Sequence, residues 1–177
     1  VFEFGCGTGR NLAALERLGA SSLAGCDFSP GMLSLARQRG PSWRLFEQDM
    51  REPVPLPAES ADLVLFSLTL EHVEDLRVPL REAKRLAQPG GRITIIEIHP
   101  VLSANGGAAH FDEGSTEIRM PSFPHQFADY LNAFAELGLR VHACREWRPA
   151  DVGNPVPFHN LKRGPLDPLT LEFCLAV

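Results

Sequence analysis

A glycine-rich loop near the start of the chain could bind a nucleotide-like ligand. The loop follows a short apolar run and reads Glu3-Phe4-Gly5-Cys6-Gly7-Thr8-Gly9. Glycine lets a backbone turn tightly and approach a ligand without an intervening Cβ. Free amides at the start of a following helix can then meet an anionic group. The loop therefore predicts a ligand site where a strand passes into a helix, although a tight turn without a ligand is the alternative.

The spacing of the glycines favours a ligand with an ammonium group over a dinucleotide. Dinucleotide-binding loops carry G-x-G-x-x-G, whereas this loop is G-x-G-x-G, with Arg10 where the third glycine would stand. Glu3 stands two positions before the first glycine. Its carboxylate would repel a pyrophosphate and attract a cationic ligand. We therefore do not expect NAD.

Two further carboxylates follow predicted strands. Asp27 ends the second apolar run, where a carboxylate can accept both hydroxyls of a ribose. It could instead cap the helix that Ser29-Pro30 begins. Asp49 follows the third run, where its carboxylate could accept the exocyclic amine of adenine, or be an ordinary surface acid.

Alternating strands and helices predict a doubly wound α/β fold. Five strands are expected over 1–4, 22–27, 43–47, 61–66 and 92–98, helices over 11–18, 30–39, 74–87 and 125–137, and two last strands over 139–146 and 169–177. This order is typical of a three-layer αβα sandwich with a seven-stranded, mostly parallel sheet. The final hairpin predicts an antiparallel edge strand. Ligands of such sheets bind beyond the carboxyl ends of the strands, where the three acids fall.

Residues 99–124 interrupt this alternation and show no clear element. A connection of that length is often a lid or a binding loop, so we expect a substrate-binding insertion. Candidate bases in or beside it are His99, His110, His125, Asp112, Glu113 and Glu117. His99 ranks first because it follows the fifth strand directly. Aromatic residues that could form a pocket wall, or could be plain core, are Phe111, Phe123, Phe127 and Tyr130.

Composition limits the remaining possibilities. The 177 residues are typical of one domain, 1–177, and carry a net charge of −5 that disfavours nucleic acid as a partner. No apolar run approaches the roughly 20 residues of a membrane span, and no leader is visible. Four cysteines without paired spacing indicate a reducing, cytoplasmic setting and no metal. Since the chain begins with Val1 inside a strand, we expect a further N-terminal segment that covers the loop.

Together these features resemble the class I S-adenosylmethionine-dependent methyltransferases, in particular the small-molecule, type 11-like group. The resemblance covers about residues 1–98. It is carried by Glu3-x-Gly5-x-Gly7-x-Gly9, Asp27, Gln48-Asp49-Met50, Phe66-Ser67-Leu68 and Leu86-Ala87-Gln88-Pro89-Gly90-Gly91.

The resemblance implies a cofactor site and its residues. Glu3 and the glycine backbone would hold the methionine portion of S-adenosylmethionine, and Asp27 the ribose. The implied cofactor-binding residues are Glu3, Gly5, Cys6, Gly7, Gly9, Asp27, Phe28, Met32, Asp49, Met50, Ser67 and Leu68. His72 follows the fourth strand, in a segment that often borders the substrate, although a buried structural histidine is the alternative. His99 and His72 are thus the candidate catalytic residues.

The expected reaction is methyl transfer to an oxygen or nitrogen atom of a small-molecule metabolite, by a monomer or homodimer. Positioning of the acceptor supplies much of such catalysis, and a hydroxyl acceptor also needs a general base. A protein or nucleic-acid methyltransferase is an alternative, although Ser67-Leu68-Thr69-Leu70 replaces the Asn-Pro-Pro-aromatic tetrapeptide of amino-methylating DNA enzymes. A non-catalytic partner subunit that binds the cofactor is another.

Overall fold

A computed structural model gives the fold and describes residues 1–104, 110–113, 116–119, 121–151 and 168–177. For 104, 110–113 and 116–119 it describes the backbone alone. The strands are β1 Phe2–Phe4, β2 Ala24–Asp27, β3 Arg44–Glu47, β4 Ala61–Ser67, β5 Ala87–Ile98, β6 His110–Glu113, β7 Thr116–Arg119, β8 Arg140–Trp147 and β9 Thr170–Ala176. The helices are α1 Arg10–Arg17, α2 Pro30–Arg39, α3 Arg77–Leu86, α4 Pro100–Ala104 and α5 Phe127–Leu137.

Seven strands form one sheet in the order β3-β2-β1-β4-β5-β9-β8. The five strands from β3 to β5 are parallel, and β1 pairs with both β2 and β4. Their carboxyl ends therefore meet at one edge of the sheet. The predicted seven-stranded sheet with an antiparallel hairpin at its edge is confirmed. The strand that runs against the others is β9, which lies between β5 and the outermost strand β8.

Local sequence explains where the helices near the site begin and end. The Ser29 hydroxyl accepts the Met32 amide at 3.4 Å, and Pro30 holds the first position of α2, as predicted. Helix α5 starts with a reciprocal bond pair, in which the Asp129 carboxylate accepts the Gln126 amide at 2.7 Å. It ends at Gly138, whose φ of 66° is left-handed.

The sequence-based prediction differs most from the structure at the start of β5 and over residues 99–124. Strand β5 begins at Ala87, not at residue 92, because the Pro-Gly-Gly stretch continues the strand with Ala87 opposite Ala61. Residues 99–124 are not without elements, since they include α4 and the hairpin β6–β7. Segments as short as α4, β6 and β7 carry little periodicity, and no run of alternating apolar residues marks them.

The hydrophobic core consists of two clusters. The larger one joins the central strands to α3 and α5, and the Phe4 and Phe66 rings stack in it at 4.7 Å. The smaller one contains Leu12 of α1, Leu33 of α2 and Trp43. Together they fix the ends of the central strands. Among the described residues, no helix is long and apolar enough to cross a bilayer.

Candidate cofactor and acceptor site

The glycine loop wraps around the end of β1. Gly5, Gly7 and Gly9 have φ of 61°, 52° and 74°, a left-handed conformation that glycine adopts without strain. The Gly7 amide donates to Asp27 Oδ2 at 2.8 Å, and the Cys6 amide donates to the Cys26 carbonyl at 2.9 Å. The loop is thereby bonded to the end of β2.

The lack of a side chain has different consequences at the three glycines. A Cβ on Gly5 would lie 2.1 Å from Thr69 Oγ1, and one on Gly9 would lie 2.5 Å from the Trp43 ring. These two glycines make room for protein side chains. A Cβ on Gly7 would meet no described atom within 4 Å. Gly7 is therefore the one of the three whose backbone faces open space.

Glu3 has a buried carboxylate, and one of its two oxygens accepts a hydrogen bond from the protein. Its side chain is 1% exposed, and Oε1 accepts from Asn11 Nδ2 at 2.7 Å. Oε2 is buried and has no hydrogen-bond partner among the described residues. Burial raises the pKa of Glu3 to about 7. An unpaired buried oxygen is costly, and an ammonium group of a ligand would satisfy it.

A cavity of about 210 Å³ opens at the carboxyl ends of the parallel strands. It is lined by Gly5, Asp27, Phe28, Gln48, Asp49, Met50, Arg51, Thr69, His72, Val73 and Pro121. Asp27 also accepts the Ser29 amide at 2.9 Å, so it shapes the start of α2 as well as the cavity. Except for Pro121, the residues that line this space come from four separate strand ends, as expected for this type of sheet.

Asp49 has a partner that the sequence analysis missed. Arg51 Nε lies 2.9 Å from Asp49 Oδ1, and the Arg51 amide donates to the same oxygen at 2.8 Å. The guanidinium lowers the pKa of Asp49. Because the Arg51 side chain is 65% exposed, the pair is a weak surface ion pair. A ligand could therefore compete for the carboxylate.

The turn after β4 places Thr69 in the cavity. Of the two residues named from the sequence, Ser67 is partly buried and Leu68 is 48% exposed with a left-handed φ of 54°. Neither is in the lining of the cavity, whereas Thr69 is. No sequence signal marks Thr69, because its contact with Gly5 joins residues 64 positions apart.

His72 faces the cavity from the same turn. Its Nδ1 lies 2.8 Å from the Pro121 carbonyl oxygen. A carbonyl can only accept, so Nδ1 carries the proton and Nε2 keeps its lone pair. Nε2 is 4.0 Å from Glu71 Oε1. His72 thus has the geometry of a proton acceptor at the edge of the cavity.

His99, which ranked first from the sequence, lies outside the lining of that cavity. It is 2% exposed, and its Nδ1 accepts the Val101 amide at 3.2 Å. Its Nε2 donates to Glu146 Oε1 at 3.1 Å, and the ring packs edge-on against Phe127 at 5.4 Å. With both nitrogens engaged, His99 has the contacts of a structural histidine.

The remaining candidates are distributed elsewhere. His125 donates from Nε2 to the Val73 carbonyl at 2.7 Å and lines a separate cavity of about 470 Å³ together with Phe123. Tyr130 is 3% exposed and packs against Phe173, so it belongs to the core. The following side chains lie outside the described residues: His110, Phe111, Asp112, Glu113 and Glu117. Among the described residues, no cluster of potential ligands is arranged to hold a metal ion.

Most of the predicted cofactor residues meet at one place. Gly5, Asp27, Phe28, Asp49 and Met50 line the cavity directly. Glu3, Cys6, Gly7 and Gly9 shape the loop beside it. Met32 is 45% exposed on α2 and is not in the lining.

Known proteins share both sequence and fold with this chain. A family model described as a methyltransferase domain matches residues 2–95, which is more than half of the chain. A demethylmenaquinone methyltransferase from Tropheryma whipplei is 36% identical over 106 residues, or 56% of this chain and 42% of that protein. A malonyl-[acyl-carrier protein] O-methyltransferase from Serratia marcescens is 36% identical over 93 residues, or 52% of this chain and 36% of that protein. The chain thus spans about two fifths of the length of these relatives.

The whole fold also has a solved counterpart. The crystal structure of an S-adenosylmethionine-dependent methyltransferase from Mesorhizobium loti superposes with a TM-score of 0.77 at 24% identity, covering 98% of this chain and 89% of that one. The parallel strand order, the glycine loop at the end of β1 and the matching family model agree. The chain therefore belongs to the methyltransferase-domain family and has the class I fold of the S-adenosylmethionine-dependent methyltransferases.

Proposed function

We propose that this chain binds S-adenosylmethionine in the cavity at the strand ends and transfers its methyl group to an oxygen or nitrogen atom of a small-molecule metabolite. The observation that carries the proposal is the cavity itself, with Gly5, Asp27 and Asp49 in its lining and the open Gly7 beside it. The unpaired oxygen of Glu3 adds an acceptor suited to an amino-acid ammonium group.

Each binding residue has a separate task. Glu3 would accept the ammonium group, and the Gly7 backbone would lie against the methionine portion. Asp27 would accept the ribose hydroxyls, for which it would share or release the Gly7 amide. Asp49 would exchange its contact with Arg51 for the adenine amine. Phe28, 62% exposed, would lose part of its exposed apolar surface on binding.

The bound cofactor would supply a methyl group on a sulfonium, which is already an activated electrophile. The protein therefore needs to orient an acceptor and exclude water rather than activate the methyl group. His72 is the described residue best placed to take a proton from a hydroxyl acceptor, since its Nε2 keeps a lone pair beside the Glu71 carboxylate. An amine or carboxylate acceptor would depend on it less.

Two further features belong to this proposal. Residues 99–124 would contribute the acceptor pocket of a single domain, because Pro121 already lines the cavity. The two hydrophobic clusters would lie on opposite faces of the sheet and make the fold a three-layer sandwich.

Transfer of a labelled methyl group to a panel of acceptors tests the proposal. The panel should hold hydroxylated, amine and carboxylate metabolites together with demethylmenaquinone and malonyl-[acyl-carrier protein], which the names of the relatives suggest. We expect transfer to at least one acceptor, with kcat/KM for the cofactor about 10–100-fold lower in Asp27→Ala. The matched control is Asp62→Ala, at the opposite end of the strands, where the carboxylate accepts from Gln88 Nε2, interacts electrostatically with the Val1 ammonium group and is not in the lining of the cavity. An unchanged kcat/KM for the cofactor in Asp27→Ala would contradict the proposed site.

A further inference from the structure

Glu97 is a buried carboxylate that the proposed reaction does not use. It is the last residue but one of strand β5, lies next to the end of β4, and is 2% exposed. Its Oε1 accepts two backbone amides, from Thr69 at 2.9 Å and from Leu70 at 2.8 Å. Its Oε2 is buried without a hydrogen-bond partner among the described residues. A single carboxylate oxygen thus holds the start of the turn that follows β4.

That turn carries two side chains of the candidate site. The Thr69 side chain fills the space beside Gly5, and His72 reaches the cavity three residues later. Leu68, just before it, has a left-handed φ of 54°, a conformation that costs a non-glycine residue energy. A strained backbone persists only where the surroundings impose it. The two bonds to Glu97 are such a constraint.

The other side of the turn is held by residues 121–125. The Phe123 amide donates to the Glu71 carbonyl at 2.7 Å, and the Ser122 hydroxyl donates to Glu71 Oε2 at 3.2 Å. His72 donates to the Pro121 carbonyl. The turn therefore lies between a fixed point on the central sheet and a segment outside it. Among the described residues, Glu97 is the one whose side chain joins the turn to β5 by hydrogen bonds.

We propose that Glu97 is a positioning residue, which holds the Thr69–His72 turn against the glycine loop and so sets the shape of the cofactor cavity. This inference rests on the proposed function. Glu97 would not contact the cofactor or the acceptor. It would act through Thr69 and His72. Two amides deprived of their acceptor in a buried place would move the turn to find other partners. Thr69 would then leave Gly5, and the cavity would change.

The choice of variants follows from the bonds. Glu97→Gln keeps an oxygen that can accept both amides, and because burial raises the pKa of Glu97 to about 7, the neutral amide is a close mimic. Glu97→Leu keeps the volume and removes the acceptor. Glu97→Asp keeps the carboxyl group and withdraws it by one methylene. Ile93→Ala, fully buried on the same strand, lowers stability without touching the turn and is the matched control.

The experiment measures the dissociation constant of S-adenosylhomocysteine by calorimetry, together with the thermal midpoint and, once an acceptor is known, kcat and KM. We expect Glu97→Leu to weaken binding at least about tenfold, Glu97→Asp about threefold or more, and Glu97→Gln less than threefold. Ile93→Ala should bind like the unmodified chain despite a lower midpoint.

Several results would overturn the inference. Binding by Glu97→Leu or Glu97→Asp equal to that of the unmodified chain would do so. A loss of affinity in Glu97→Gln as large as that in Glu97→Leu would also overturn it. So would a loss of affinity in Ile93→Ala that accompanies its lower thermal midpoint. If Glu97→Leu does not fold, Glu97→Asp and Glu97→Gln decide. If the unmodified chain binds neither S-adenosylmethionine nor S-adenosylhomocysteine, the proposed function fails and this inference fails with it. If the unmodified chain binds them and the Glu97 variants bind equally well, this inference alone is overturned.

Discussion

The pair Gly5 and Gly7 allows backbone strain and side-chain overlap to be separated by experiment. Both residues are left-handed, with φ of 61° and 52°. Alanine at either position would pay the strain of that conformation, roughly 1–2 kcal/mol. Only at Gly5 would the new Cβ also overlap protein atoms, at 2.1 Å from Thr69 Oγ1 and 2.8 Å from Thr69 Cβ.

The overlap adds a second cost. Forcing extra atoms into a packed site costs typically about 1–3 kcal/mol. We therefore expect Gly5→Ala to lower the free energy of unfolding by about 2–5 kcal/mol and Gly7→Ala by about 1–2 kcal/mol. For a domain of this size, each kcal/mol corresponds to roughly 2–4 °C in Tm.

Urea denaturation of the unmodified chain, Gly5→Ala and Gly7→Ala measures these free energies of unfolding. Thr69→Ala in the Gly5→Ala background should restore part of the loss, because it removes the contacts at 2.1 and 3.2 Å and leaves the one at 2.8 Å. Equal unfolding free energies for Gly5→Ala and Gly7→Ala would refute the account of the loop, as would a double variant no more stable than Gly5→Ala.

The remaining predictions concern the ionisable groups. With a hydroxyl acceptor, His72→Gln should lower kcat by about 10²–10⁴-fold and leave the dissociation constant of S-adenosylhomocysteine within about threefold. His99→Gln should mainly lower Tm. A larger loss of kcat in His99→Gln than in His72→Gln would restore His99 as the base. Since burial raises the pKa of Glu3 from 4.5 to about 7, the folded state holds that proton more tightly than the unfolded state, so Glu3 makes stability fall as pH rises from about 4.5 to 7. Glu3→Gln should flatten that part of a pH series of unfolding experiments, and an unchanged slope would contradict the burial of the carboxylate. If the cofactor ammonium pairs with ionised Glu3, affinity should increase from pH 6 to 8 in the unmodified chain and not in Glu3→Gln.

Residues that depend on local sequence were predictable. The glycine loop, Asp27 and the Ser29-Pro30 helix start are defined by neighbours in the chain, and all were located from the sequence. Parallel strand order then brings the strand ends together, which is why Asp27 and Asp49 could be expected at one cavity. The family itself could be recognised from these residues.

Residues that depend on distant contacts were not predictable. Thr69 matters because it fills the space beside Gly5, and Arg51 because its side chain folds back on Asp49. Glu97 was visible only as an acid near the end of a strand, and its two bonds to the turn appear only in three dimensions. His99 ranked first because it follows β5 directly, yet its ring turns toward Glu146. The end of a strand locates a residue in the sheet but does not determine the direction of its side chain.

A calorimetric titration of the chain with S-adenosylmethionine, S-adenosylhomocysteine and NAD tests the central claim most directly. We expect one site per chain for the first two ligands and no heat with NAD. We also expect a loss of about 10–100-fold in affinity for Asp27→Ala, from hydrogen bonds to a charged group, and no loss for Asp62→Ala. Binding of NAD without binding of either sulfur-containing ligand, or equal affinity in the unmodified chain and Asp27→Ala, would contradict the central claim.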